Sequence, residues 1–162
     1  MSDLGPEAGS GHGQADVLAV ADELYGLALA DFTASRDARA KEYQTTACAA
    51  SIKALRKPST AAWVVNQLVR GEAEQVDQLL SVGAALREAQ ANLAAGELRA
   101  LTTQRRQVTA ALTTQARRLA GELGVRVTNA VADQVEATLT AAMVDATCGR
   151  AVRSGLLLTA LH

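Results

Sequence analysis

The sequence predicts an all-α protein, a multi-helix bundle built around a long antiparallel helical hairpin and preceded by a flexible N-terminal tail. Three observations carry this fold class. Of 162 residues 35 are alanine, the strongest helix former. Aromatic residues number only four, Tyr25, Phe32, Tyr43 and Trp63, and β-branched residues are too few for a sandwich or a barrel. Finally, apolar residues recur at three-and-four spacing along most of the chain, which is the period of one helix face.

Residues 1–15 carry Gly5, Pro6, Gly9, Gly11 and Gly13 and bury too little to offset the entropy of ordering them, so they read as a disordered acidic tail. Asp16 is placed to cap a first helix through Val17, Leu18, Val20, Leu24 and Leu27, weakened at Gly26. Asp31 caps a second, where Phe32, Ser35, Arg36, Arg39 and Tyr43 share helical spacing. Thr45 and Thr46 loosen the pattern, and Ala47 to Arg56 resumes it with Ile52 and Leu55. Pro58 disfavours helix at Lys57 and suits the start of a new one, which carries Ala61, Ala62, Val64, Val65, Leu68 and Val69 as far as Gly71.

Two long amphipathic segments follow, 72–95 and 98–123, joined at Gly96. Their larger residues repeat about every 3.5 positions, with Arg105 and Gln115 falling in the seam, which predicts the antiparallel hairpin. Gly124 ends it, and Val125 to Val127 is the only β-leaning run. Thr128 or Asn129 caps a helix with a core stripe of Val131, Val135, Leu139 and Met143. Asp145 caps a last helix ending near Gly155, and Leu156, Leu157, Leu158 and Leu161 give an apolar tail over 156–162 that is expected to dock on the bundle. Residues 16–155 thus read as one helical domain of six to seven helices.

Leu24-Tyr25-x-Leu27, then Phe32-Thr33-Ala34-x-Arg36-Asp37, then Ile52-Lys53-Ala54-Leu55-Arg56-Lys57-Pro58-Ser59-Thr60-Ala61-Ala62-Trp63-x-x-Asn66-x-Leu68 form a distinctive series. It resembles a group of uncharacterised all-helical proteins of high-GC Gram-positive (actinobacterial) bacteria. The resemblance implies a helical fold and brings no activity with it. Many members of that group continue into a long charged coiled coil. Where they place a proline-containing turn after the Leu-Tyr pair, this chain has Ala28-Leu29-Ala30, which is expected to fuse the first two helices.

The formal net charge of −1 hides an alternation. Residues 1–31 carry six acids and no base, 32–71 seven bases and two acids, 72–95 four acids and one base, and 97–126 six bases and two acids, as in acidic and basic helices that pack together. Cys48 and Cys148 stand far apart with no second cysteine or histidine at ligand spacing, so neither a disulfide framework nor a metal site is expected. The amino terminus has no signal-peptide pattern and no stretch is apolar enough to span a membrane, which reads as a cytoplasmic protein without a membrane partner.

Catalytic chemistry finds few candidates. His12 lies in the tail and His162 is the last residue, so neither is held as a general base, and no Glu-x-x-His pair exists for a di-metal bundle site. Gly9-Ser10-Gly11-His12-Gly13 lacks the strand and the lysine of a phosphate loop. No catalytic, cofactor-binding or metal residue is therefore assigned. The candidate binding residues lie elsewhere. Lys53, Arg56 and Lys57, with Ser59 and Thr60, set basic side chains before the free amides of a helix start, an arrangement that attracts phosphate or carboxylate. Trp63 and Asn66 follow on the same helix, as a core plug with a buried polar partner or as a stacking platform. Arg70, Arg105 and Arg106 add basic positions.

These residues favour a non-enzymatic interaction or scaffold module that binds a protein partner or a further copy of itself. The alternative is a nucleic-acid-associated protein using the Lys53–Lys57 junction and the arginines of the long helix. A small-molecule sensor with a pocket at Trp63 is a third reading.

Overall fold

A computed structural model describes residues 10–162, and the tail reading over 1–9 lies outside the described residues. All regular structure among the described residues is helical: α1 Ser10–Tyr25, α2 Phe32–Glu42, α3 Cys48–Lys53, α4 Thr60–Gly71, α5 Ala73–Ala91, α6 Ala95–Glu122, α7 Asn129–Val144 and α8 Ala146–Ser154, with one 3-10 turn at Leu29–Asp31. They group into two compact units that divide between Lys57 and Pro58.

In the first unit, α1 buries Val20, Ala21, Leu24 and Tyr25. The helix starts six residues ahead of Asp16, and its early turns have a partner: the Cys48 Sγ donates to the Gly13 carbonyl at 3.4 Å. α1 and α2 are separate helices, contrary to the fusion expected at Ala28-Leu29-Ala30. Ala28 is extended, with ψ 139°, and the reversal brings the Tyr25 and Phe32 rings to 5.3 Å centroid separation. That aromatic contact, with Phe32 buried, rewards a break that alanine propensity alone would not make. The Tyr25 hydroxyl donates to the Arg56 carbonyl at 2.7 Å and Arg36 donates to the Leu55 carbonyl at 3.1 Å, fixing the chain beyond α3.

In the second unit, α4 is the central element, burying every residue from Ala61 to Val69 and packing against α5, α6, α7 and α8. A helix buried on all sides needs its polar groups satisfied internally. α5 and α6 share the most extensive packing of any pair, and Glu72, which precedes α5, pairs with Arg118 of α6 at 3.0 Å. The chain reverses between them through Asn92 to Ala94, with Leu93 at φ 53° and 87% exposed. Gly96 makes no turn; it sits in the first turn of α6, where a Cβ would meet nothing within 4 Å.

α5 crosses α7 at Gly83, whose missing Cβ leaves room for the Met143 backbone, and Arg87 donates to the Met143 carbonyl beside it. The stripe on α7 is buried at Val135, Leu139 and Met143. Thr128 caps this helix by accepting from the Val131 amide, and Asp145 caps α8 by accepting from the Thr147 and Cys148 amides. Gly124 and Gly155 take positive φ at the ends of α6 and α8. Val125 to Val127 forms no strand. Among the described residues no helix is long and apolar enough to cross a membrane.

Candidate functional site

The basic junction begins in the first unit. Lys53 is exposed and its Nζ lies 3.4 Å from Asp37 Oδ1. A hydrogen bond from Arg36, and a second from Lys53, hold the Asp37 carboxyl below the usual carboxylate range. The Arg56 and Lys57 side chains are exposed and make no ion pair among the described residues. Beneath Arg56 the Tyr25 hydroxyl is pushed up by burial.

Ser59 and Thr60 open the second unit, and much of their hydrogen-bonding capacity is already used. Ser59 Oγ accepts from the Ala62 amide at 3.2 Å, while the Ser59 amide donates to the Leu158 carbonyl at 2.9 Å. The start of α4 therefore offers an incoming anion fewer donors than an uncapped helix would.

Trp63 and Asn66 are both buried, at 1% and 0% exposure. Asn66 is joined to Leu157 in both directions, with Nδ2 donating to the Leu157 carbonyl at 3.0 Å and Oδ1 accepting from the Leu157 amide at 2.9 Å. Arg70 donates to the Asn66 carbonyl at 3.1 Å and to the Gly155 carbonyl at 2.8 Å. One turn and a half of α4 thus recognises the backbone of residues 155–157, and the Thr138 hydroxyl does the same for Leu161, accepting from its amide at 3.0 Å. The structure brings Ser59, Asn66 and Arg70 together around the chain's own C-terminal segment, which docks with Leu157 buried.

Arg105 and Arg106 lie elsewhere, on α6. They line an open groove of about 510 Å³ between α6 and α7 with Thr109, Ala110, Thr113, Glu136 and Thr140. Thr113 bonds back to the Thr109 carbonyl at 2.9 Å and is satisfied within its own helix. Arg105, Arg106 and Glu136 form no ion pair with each other or with any described residue, although all three face the same groove. Sequence reasoning missed Glu136 and Thr140. The signal was present as their i, i+4 spacing on α7, one position after each of Val135 and Leu139, but it gains meaning only when α6 lies alongside.

In comparison with known proteins, no family model matches the chain, and no curated protein or solved structure matches it significantly. The chemistry of these two sites is what remains to indicate a role. Among the described residues no cluster of three or more histidine, cysteine, aspartate or glutamate side chains is arranged to hold a metal ion.

Proposed function

We propose that this chain is a non-enzymatic helical interaction module that docks a protein partner on its α6–α7 face. The observation that carries the reading is the groove in which Arg105, Arg106 and Glu136 stand unpaired around small side chains. Small residues let another helix approach closely, and unpaired charges of both signs supply orientation. A photo-crosslinking residue placed at Ala110 or at Thr140 tests this, with Arg150 on α8 as the exposed control. Protein adducts concentrated at the two groove positions are expected, and equal yields at the control position would overturn the reading.

A second reading, generic binding to a nucleic-acid backbone, is supported by the exposed and unpaired side chains of Arg56 and Lys57. It expects low-salt binding to a duplex that weakens steeply as salt rises and is lost on joint replacement of both residues by alanine. Absence of binding at low salt would remove it.

A further inference from the structure

We propose that the seat of the C-terminal segment on α4 and α7 is a binding site for a non-helical, leucine-bearing peptide of a partner protein, which enters by displacing residues 156–162. None of the residues that form this seat lines the α6–α7 groove, so the site is independent of that interaction face. Its chemistry is backbone recognition. The Asn66 side chain donates from Nδ2 to the Leu157 carbonyl at 3.0 Å and accepts at Oδ1 from the Leu157 amide at 2.9 Å. One carboxamide thus grips both polar groups of a single residue, as a paired β-strand would. The Ser59 amide donates to the Leu158 carbonyl at 2.9 Å, and Thr138 Oγ1 accepts from the Leu161 amide at 3.0 Å. None of these bonds reads a side chain of the segment. Side-chain selection falls on Leu157, which is buried, whereas Leu158 and Thr159 are exposed. Peptide-recognition sites divide their work in this way, with main-chain hydrogen bonds giving affinity and side-chain pockets giving choice.

The resident segment is held in a way that permits exchange. α8 ends at Ser154, and Gly155, at φ 69°, turns the chain out of it, so residues 156–162 belong to no helix and can leave without unwinding one. Both cysteines are free, so no disulfide fastens the segment. Arg70, donating to the Gly155 carbonyl, marks the hinge and can stay engaged while the later residues leave. An empty seat is nonetheless costly. Asn66 and Thr138 are fully buried beneath the segment, and without it the Asn66 carboxamide loses both Leu157 partners. Replacement is therefore favoured over vacancy, and the seat specifies the replacement: a free amide and carbonyl on one residue, with a leucine-sized side chain at that residue. Proline there is excluded because it lacks the N–H. The tethered segment competes at an effective concentration on the order of millimolar, and a partner that also engages another surface of the chain gains the same advantage.

Two measurements on the full chain test the proposal. Hydrogen exchange of the wild type across a urea series is expected to show the Leu157 and Leu161 amides opening locally, with protection at least about tenfold below that of the Val64 to Leu68 amides and little dependence on urea. Exchange of both sets together, on global unfolding alone, overturns the proposal. The second measurement titrates a fluorescent peptide of residues 155–162, read by anisotropy, against the wild type and against full-length Leu157→Pro, which weakens the resident segment and keeps the seat. Binding is expected to be at least about tenfold tighter to Leu157→Pro than to the wild type. It should be lost when Asn66→Ala is added or when the peptide is N-methylated at the Leu157 amide, and should change by less than about threefold when the peptide carries Leu158→Lys and Thr159→Glu. Circular dichroism reports folding, and if Leu157→Pro does not fold, wild-type chain at millimolar concentration takes its place with the N-methylated peptide as reference. Binding that survives N-methylation overturns the proposal, as does absence of binding to folded Leu157→Pro. A peptide that binds only with Leu158 and Thr159 intact assigns the seat to the chain's own segment and overturns a separate partner. So does a wild-type dimer that the peptide dissolves, since the occupant is then the tail of a second copy.

Discussion

Replacing Asn66 by alanine removes two buried hydrogen bonds to Leu157 while keeping α4 helical, and it is expected to destabilise the protein by about 2–4 kcal/mol. The lower figure comes from the two backbone groups left behind, since an orphaned buried amide or carbonyl costs about 1–3 kcal/mol. The upper limit is set by escape: the segment can leave its site instead. It then exposes Leu157, now buried, with the half-buried Leu156 and Leu161, at about 1.5–3 kcal/mol for each leucine fully transferred. Regained backbone freedom offsets part of that loss. A melting temperature lower by about 5–12 °C follows for a chain of this size. Urea unfolding followed by Trp63 fluorescence measures the free energy, because the indole sits one turn from the substituted position. Carboxypeptidase trimming should accelerate in parallel. In a chain ending at Gly155 the same substitution should cost little or stabilise, since Asn66 has by then lost its Leu157 partner. A change below about 0.5 kcal/mol in the full chain, with unaltered trimming, would refute the reasoning.

Glycine supplies an opposed pair of predictions. Gly83→Ala puts a Cβ 2.6 Å from Met143 Cα and should destabilise by about 1–3 kcal/mol or more, whereas Gly121→Ala, with nothing within 4 Å, should be neutral or stabilising by up to about 1 kcal/mol. Thermal melts decide both. The Asp145 carboxyl is held below the usual range by the Cys148 amide first and the Thr147 amide second. Its stabilisation is complete above the unfolded value near about 4 and is lost as pH falls through the lower folded value, so melting temperature should drop in that acidic window. Asp145→Asn keeps an acceptor at the cap and should flatten this part of the profile. Leu93→Gly relieves a positive φ and removes an exposed side chain at the α5–α6 turn, which should raise stability by about 1 kcal/mol in denaturant titration.

Three helix starts were legible because their chemistry is local, whereas Asp16 falls inside α1 and Asp31, expected to cap α2, makes no side-chain bond to an amide of that helix. Ser59, Thr128 and Asp145 each accept from an amide two or three residues on, a relation contained within a few consecutive letters. The Val135, Leu139 and Met143 stripe was legible through periodicity. The α5–α6 reversal misled because Gly96 is the residue best suited to a turn, yet Leu93 accepts the unfavourable conformation and leaves glycine inside the helix. Ser59, Asn66 and Arg70 were legible as polar groups at unusual places, but their partners lie 85 to 99 positions away and no local pattern names them. The Arg106 and Glu136 walls belong to the same class: each is an ordinary surface residue until two helices stand side by side.

The pairing of Asn66 with Leu157 spans 91 residues and has a consequence for the order in which the molecule is made. Synthesis runs from the amino terminus, so α4 emerges early, carrying nine consecutive residues destined for burial and an amide side chain with no mate. α5 and α6 can pair with each other as they appear, but the Asn66 amide waits until Leu157 has cleared the ribosome. Nascent chains stalled before that point should hold a loosely closed second unit that tightens abruptly when residues 155–161 emerge and reach Asn66, Arg70 and Thr138.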